Sequence, residues 1–200
     1  MFYNPWTKTE VSKRNLPHWH QNEALYFVTF RLADSIPQNK LKQWRAERHE
    51  WLHAHPEPWS DKVLEEYEER FPKKFQKWLD AGHGCCCLKE ESSAQILRNA
   101  LLYFNGERYK LDDWVIMPNH VHALLHLKAN ETLPKVLHSL KSFTAKEINK
   151  LRGKSGEFWQ SESYDRIVRS EAELGHFRKY IRENPSKAGI SLSSLAYSWK

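Results

Sequence analysis

The chain has 200 residues, with 31 Lys and Arg against 25 Asp and Glu, so its formal net charge is +6 when His is neutral. This length suffices for one domain with a buried core and a peripheral extension. No apolar run approaches the roughly 20 residues that span a bilayer, and the first residues lack the order of a secretory signal, so we expect a cytoplasmic protein with no membrane contact. The charge favours a polyanionic partner such as nucleic acid.

The N-terminal segment, residues 1–24, mixes aromatic and basic side chains between Trp6 and Trp19. Such a mixture can stack on unpaired bases or simply pack against the protein. Residues 25–32 are rich in β-branched and aromatic side chains and predict the first strand. Residues 38–82 are more charged, with aromatic residues at helical spacings that prolines interrupt, and they predict two or three helices.

The next features are a cysteine cluster and a helix–strand transition. Cys85, Cys86 and Cys87 are consecutive and lack paired zinc-ligand spacing, so we interpret them as reduced thiols, with His83 only a weak indication of metal. Residues 92–104 predict a helix that Asn105-Gly106 ends. Residues 109–114 and 115–127 favour β-structure, either as one bent strand or as a hairpin.

The C-terminal half predicts two more helices around a short strand at residues 164–168. The first helix covers residues 132–151, and its basic side chains, which include Lys141, are either solvated or in contact with phosphates. The second begins at Ser170, whose spacing from Glu173 is that of a capping box, and should end at Asn184 because Pro185 disfavours helical geometry there. The apolar side of the first helix comprises Leu133, Val136, Leu137, Leu140, Phe143 and Ile148.

This order of elements predicts an α/β (α+β) fold. We expect a ferredoxin-like antiparallel sheet with helices largely on one face, and a helical insertion after the first strand at about residues 38–82.

His120 and His122 are the most informative residues of the chain. In a strand they project from the same face, where two imidazoles can share a metal ion. A close His pair also arises by chance in a chain with 11 His. His126 has the same strand parity but lies too far along the strand to share the ion easily.

Tyr180 and Asn184 could complete such a site, because residues four apart lie on one helix face. Two imidazoles and an amide oxygen could hold Mg²⁺ or Mn²⁺, and Tyr180 could attack a phosphodiester as the nucleophile. Lys179 and Arg182 are available in the sequence to favour the phenolate. In place of Tyr180 the nucleophile could be Tyr164, and in place of Asn184 the ligand could be a carboxylate from Asp112, Asp113 or Asp165.

Several motifs resemble the REP-associated tyrosine transposases, which belong to the single-tyrosine HUH (His-hydrophobic-His) transposases. They are Met117-Pro118-Asn119-His120-Val121-His122, Phe158-Trp159-Gln160, Tyr164-Asp165-Arg166 and the run from Tyr180 through Asn184-Pro185 to Gly189. The resemblance covers roughly residues 25–190, less the charged helical stretch after Pro37. It implies an HUH endonuclease-type catalytic domain there, with residues 1–24 and 191–200 as flanking segments.

The resemblance further implies a function and a set of site residues. His120, His122 and Asn184 would bind the metal, and Tyr180 would cleave single-stranded DNA at REP-type hairpins, leaving a 5′-phosphotyrosine. The protein would be nucleoid-associated and either a monomer or a homodimer. The residues that we expect to contact DNA are Arg14, Lys13, Lys141, Lys179, Arg182 and Lys187.

Two other functions are also compatible with the sequence. One is a catalytically inactive protein that binds DNA or RNA hairpins through its basic and aromatic surface. The other is a metal-dependent nuclease that uses water and forms no protein–DNA bond.

Overall fold

The protein is described from a computed structural model over residues 1–13, 17–56, 58–191 and 197–198. Two N-terminal strands, β1 (Glu10–Lys13) and β2 (Pro17–His20), pair with each other as a small antiparallel sheet. Lys13 therefore belongs to β1, whereas Arg14 lies outside the described residues. So does most of the C-terminal segment at residues 191–200, of which only residues 191, 197 and 198 are described.

A five-stranded antiparallel sheet forms the centre of the molecule. Its strands are β3 (Leu25–Arg31), β4 (Tyr109–Met117), β5 (His120–Leu127), β6 (Tyr164–Ile167) and β7 (Tyr197–Ser198), in the order β6-β3-β5-β4-β7. Strands β4 and β5 form a hairpin whose turn is Pro118-Asn119, so this region is a hairpin and not one bent strand. The elements β3, α4, β4, β5, α5 and β6 follow the βαββαβ order of a ferredoxin-like fold, with α4 (Glu91–Tyr103) and α5 (Leu133–Leu151) as its helices, and the predicted fold class is confirmed.

Helices α4 (Glu91–Tyr103) and α5 (Leu133–Leu151) pack on one face of this sheet and build the larger core with it. The prediction for α5 is wrong at Phe143, which is 52% exposed. The buried side chains instead recur every four residues, at Leu140, Thr144 and Ile148, so Phe143 faces outward. Thr144 is satisfied there, since its hydroxyl accepts a hydrogen bond from Trp159 Nε1 at 2.9 Å.

Helix α6 (Glu171–Lys187) packs on the opposite face, where Phe177 stacks on Phe27 with ring centroids 4.3 Å apart. Ser170 caps this helix as expected, accepting a hydrogen bond from the backbone N–H of Glu173. The predicted end at Asn184 is wrong, because the helix continues through Pro185 to Lys187. Proline removes only one backbone hydrogen bond, and burial of Asn184 and Pro185 keeps this turn helical.

Three further helices lie between β3 and α4: α1 (Gln38–Ala54), α2 (Asp61–Glu68) and α3 (Lys74–Asp80), with a π-helical turn, Glu69–Lys73, before α3. They fall within the stretch predicted as a helical insertion. Trp44, Trp51 and Phe71 are buried between them and form a separate aromatic core. None of the described helices is both long and apolar enough to cross a membrane.

Candidate active site

His120 and His122 lie next to each other on the sheet face that carries α6. They pair with Arg31 and Thr29 of β3 in the strand register, and both side chains are fully buried. Their Nε2 atoms are 3.0 Å apart. The strand parity predicted from the sequence therefore brings the two imidazoles together at one point.

The orientation of the His120 ring is fixed by Asn119. The Asn119 amide Nδ2 donates to the backbone oxygens of Leu79 and His83, at 3.2 and 3.0 Å, so its Oδ1 faces His120 as an acceptor. His120 Nδ1–H must then donate to that oxygen, 2.7 Å away, which leaves a lone pair on Nε2. On the neighbouring ring, His122 Nδ1 lies 2.7 Å from Thr29 Oγ1.

Both imidazoles are held in the neutral form. Burial, together with the positive charge of Arg31, lowers the pKa of His120 to about 3. Burial also lowers the pKa of His122 well below its ordinary value, and the neighbouring His120 acts in the same direction. Neutral imidazole is the form that binds metal ions, so no proton has to be displaced at ordinary pH.

Helix α6 brings Tyr180 and Asn184 to the same place. The Tyr180 hydroxyl lies 3.5 Å from His122 Nε2, and the two rings contact edge to face with centroids 5.1 Å apart. Asn184 is 1% exposed, and its Oδ1 has no hydrogen-bond partner among the described residues. A buried carbonyl oxygen without a partner is costly, so this atom is suited to a ligand.

These residues fit a divalent cation. Two ligands that lie about 2.1 Å from one ion and at right angles to each other are about 3.0 Å apart, which is the separation of the two Nε2 atoms. Within the described ranges, no three His, Cys, Asp or Glu side chains meet as a metal site. A third protein ligand would have to come from another residue type, and Asn184 Oδ1 is such an atom.

Burial is the main reason that the pKa of Tyr180 is raised far above its ordinary value, and the negative charge of Asp80 adds to this shift. A hydrogen bond with Asn184 acts in the opposite direction. The two cations that we expected to favour the phenolate point elsewhere. The Lys179 side chain is 74% exposed beside Glu183, and Arg182 Nε donates to Asp113 at 2.8 Å.

The three carboxylates that could have replaced Asn184 as ligands bind different groups. Strand β4 bulges between Leu111 and Trp114, and the two successive carboxylates of the bulge, Asp112 and Asp113, pair with Arg178 and Arg182 of α6. These ion pairs attach the helix to the sheet. The third carboxylate, Asp165, bonds to His18 on the β1–β2 sheet.

Tyr164 pairs in the strand register with Thr29, the neighbour of His122, and packs in the same cluster as Tyr180, whereas His126 lies farther along β5. Tyr164 lies on β6, and its ring contacts that of Phe27 with centroids 6.3 Å apart. His126 Nε2 lies 3.1 Å from the backbone oxygen of Glu23, near the opposite end of β5. Cys85, Cys86 and Cys87 have free thiols, as expected from their spacing.

The lysines that we expect to contact DNA are distributed over both faces of the sheet. Lys141 lies on α5, away from the imidazoles, and its Nζ donates to Ser161 O and Ser163 Oγ at the rim of a cavity of about 640 Å³. Lys187 pairs with Glu183 at 2.9 Å near the end of α6. The DNA contacts assigned to these residues remain predictions.

Sequence reasoning missed four residues beside the imidazoles. Asn119 directly precedes His120, and Thr29 follows from strand pairing once the register is known. Gln76 and Asp80 come from α3, and no sequence pattern marks them. Gln76 Nε2 lies 3.4 Å from His122 Nε2, and Asp80 Oδ1 lies 3.9 Å from His120 Nε2.

Comparison with known proteins shows what the chain is similar to. The sequence model of the IS200-like transposases matches residues 87–184, which include both imidazoles, Tyr180 and Asn184. No curated protein sequence matches the chain. Among solved structures, a REP-associated tyrosine transposase bound to a REP hairpin is similar over 90% of this chain and 75% of that chain, with 16% identity and a TM-score of 0.52.

A transposase structure from Deinococcus radiodurans R1 matches 86% of this chain and 96% of its own length, with 16% identity and a TM-score of 0.35. The likeness to the hairpin-bound structure shows a shared fold, and the sequence match covers residues 87–184. Residues 87–184 thus match the IS200-like transposases, a family of DNA-processing proteins, and the chain has the fold of a REP-associated tyrosine transposase.

Proposed function

We propose that the protein cleaves single-stranded DNA beside a hairpin and transfers the strand through a covalent bond to Tyr180. The observation that carries this proposal is the position of the Tyr180 hydroxyl, 3.5 Å from His122 Nε2 and beside an imidazole pair with metal-ligand spacing. The family match supports DNA processing, and the related structure bound to a REP hairpin supports hairpin DNA as the substrate class.

His120, His122 and Asn184 would hold Mg²⁺ or Mn²⁺. When bound, the cation would act as a Lewis acid that polarises the phosphodiester and offsets the charge that develops during attack. The contribution of the chain is to keep three neutral ligand atoms in place. Asn119 and Thr29 fix the imidazole rings, and the α6 helix carries the amide of Asn184 on the same side as the nucleophile.

Tyr180 supplies the attacking oxygen. A bond forms between this oxygen and phosphorus while the bond from phosphorus to the 3′ oxygen breaks. The phenol proton is lost and the 3′ oxygen gains one, so the products are a 5′-phosphotyrosine and a free 3′-hydroxyl. The phosphodiester energy is kept in the protein–DNA bond, and a second 3′-hydroxyl can reverse the step on a new strand.

Basic side chains on and near α6 would hold the DNA backbone. Lys179 and Lys187 flank the turn that contains Tyr180 and Asn184. Their side chains are 74% and 60% exposed. Arg182 lies between them. We propose these three as phosphate contacts close to the site, and Lys13, Arg14 and Lys141 as contacts farther away.

The test is formation of a protein–DNA adduct that survives denaturation. The full chain is incubated with a labelled hairpin oligonucleotide that carries single-stranded flanks, with Mn²⁺ present. We expect Tyr180→Phe to abolish the adduct while hairpin binding is retained, and Tyr164→Phe, the matched control, to form it normally. A normal adduct with Tyr180→Phe would assign the nucleophile elsewhere, and cleavage without any adduct would favour the water-dependent nuclease.

A further inference from the structure

The end of helix α3 is attached directly to the turn that precedes His120. Asn119 Nδ2 donates to the backbone oxygens of Leu79 and His83, on either side of Asp80 in the chain. The same Asn119 orients the His120 ring through its Oδ1. One buried amide therefore fixes both the imidazole and the backbone around Asp80, so their relative positions are coupled.

The Asp80 carboxylate faces the imidazole pair. Its Oδ1 lies 3.9 Å from His120 Nε2, and its side chain is 25% exposed. Gln76, one helical turn earlier, donates from Nε2 to the same oxygen at 2.9 Å, and this Nε2 is also 3.4 Å from His122 Nε2. Gln76 therefore connects the carboxylate to the second imidazole.

The three ligand atoms of the proposed cation site carry no negative charge, because they belong to two neutral imidazoles and an amide. A hard divalent cation binds preferentially where carboxylates offset its charge, and Mg²⁺ usually keeps several of its water molecules. The distance of 3.9 Å is too long for a direct hydrogen bond and suits a carboxylate that acts through an ion-bound water. Asn184 Oδ1, buried and without a partner among the described residues, independently indicates that a ligand binds at this point.

We propose that Asp80 is a positioning residue for the cation: its carboxylate accepts a hydrogen bond from a cation-bound water and supplies the negative charge that the direct ligands lack. This inference rests on the proposed function, since it concerns the same site. It gives the helical insertion a part in the site, because α3 ends at Asp80 and reaches the site from a different part of the chain than α6. The carboxyl group does not take part in the bond changes at phosphorus.

Mn²⁺ binding to the metal-free full chain tests the inference without measuring catalysis. Asp80→Asn removes the charge and keeps the size of the side chain, and should weaken Mn²⁺ affinity by about 10-fold or more, the range seen when outer-shell partners of metal sites are changed. Asp80→Glu should restore most of this loss. Glu65→Gln removes an equal charge from the exposed surface of α2 and should bind Mn²⁺ like the wild type.

Two results would overturn the inference in distinguishable ways. If Asp80→Asn binds Mn²⁺ within about twofold of the wild type while His120→Ala has lost binding, the cation site stands and the role of Asp80 fails. If His120→Ala also binds normally, the proposed cation site itself fails. The unfolding midpoint of metal-free Asp80→Asn is measured alongside. If this midpoint falls, the Mn²⁺ affinity of Asp80→Glu decides between a structural effect and the proposed role. Restored affinity in Asp80→Glu supports the role of Asp80, and unrestored affinity overturns it.

Discussion

Replacing Arg182 with Ala tests whether this arginine holds α6 on the sheet or serves only the DNA. Arg182 Nε donates to Asp113 Oδ2 at 2.8 Å, and the Asp113 side chain is fully buried, whereas that of Arg182 is 40% exposed. A hydrogen bond between charged groups contributes about 1.5–3 kcal/mol, and removing one partner of a buried pair leaves the other uncompensated. Because the arginine is partly solvated, we expect a loss of about 2 kcal/mol.

This loss corresponds to a fall in the unfolding midpoint of about 4–8 °C for a chain of this size. The free energy of unfolding is measured by urea denaturation, with Lys179→Ala as the control on the same helix. Lys179 is 74% exposed and 3.8 Å from Glu183, so its removal should cost less than about 0.5 kcal/mol. The double variant with Asp113→Ala should show a coupling energy of about 1 kcal/mol or more. Equal stability of Arg182→Ala and Lys179→Ala would refute the structural role of Arg182.

Two further predictions concern Asn119 and His18. Asn119→Ala should lower the Mn²⁺ affinity of the metal-free chain by about 10- to 100-fold, because the His120 ring loses its acceptor; unchanged affinity in a calorimetric titration would contradict this. For His18, hydrogen bonds to Asp165 and Glu162 raise the pKa to about 9. Protonated His18 therefore stabilises the fold, and this contribution is complete below pH about 6.5, the pKa of an ordinary His. The contribution is lost as the pH rises through 9. The difference in free energy of unfolding between wild type and His18→Gln should therefore be larger at pH about 6 than at pH about 9.5, and an equal difference at both would rule the contribution out.

Much of the site could be predicted from the sequence because it depends on local periodicity. The period of two places His120 and His122 on one strand face, and the spacing of four places Tyr180 and Asn184 on one helix face. Both rules need only a correct assignment of strand and helix. No spacing indicates that the two faces meet; the resemblance to a family supplied that expectation, and the contact between Tyr180 and His122 agrees with it.

The residues that could not be predicted depend on long-range contacts. Asp80 is separated from His120 by forty positions, and nothing in its own neighbourhood distinguishes it from other carboxylates at the ends of helices. Asp112 and Asp113 were candidate ligands because their charge is suitable. Only the β-bulge, which a hydrophobic pattern does not reveal, shows that these two side chains face Arg178 and Arg182 instead.

The prediction that α6 ends at Asn184 is wrong for a related reason. The rule that a residue before proline avoids helical geometry describes a local preference worth a limited amount of free energy. Asn184 and Pro185 are both buried, and Ala188 N–H still donates to Asn184 O at 3.0 Å, so packing and the following backbone bond outweigh that preference. This matters for the proposed function, because a helix that ended at Asn184 would leave the amide in a less defined orientation.

The interactions that hold α6 also explain how the site can retain an unsatisfied atom. Arg178 and Arg182 attach the helix to the β4 bulge, and Phe177 stacks on Phe27. With the helix fixed in this way, Asn184 Oδ1 cannot turn away to find a partner, and the lone pair of His120 Nε2 remains directed at the same space. The unpartnered Asn184 Oδ1 costs stability when no ion is bound, and a cation would satisfy it. Packing energy elsewhere in the fold therefore keeps this site preorganised, as the proposed function requires.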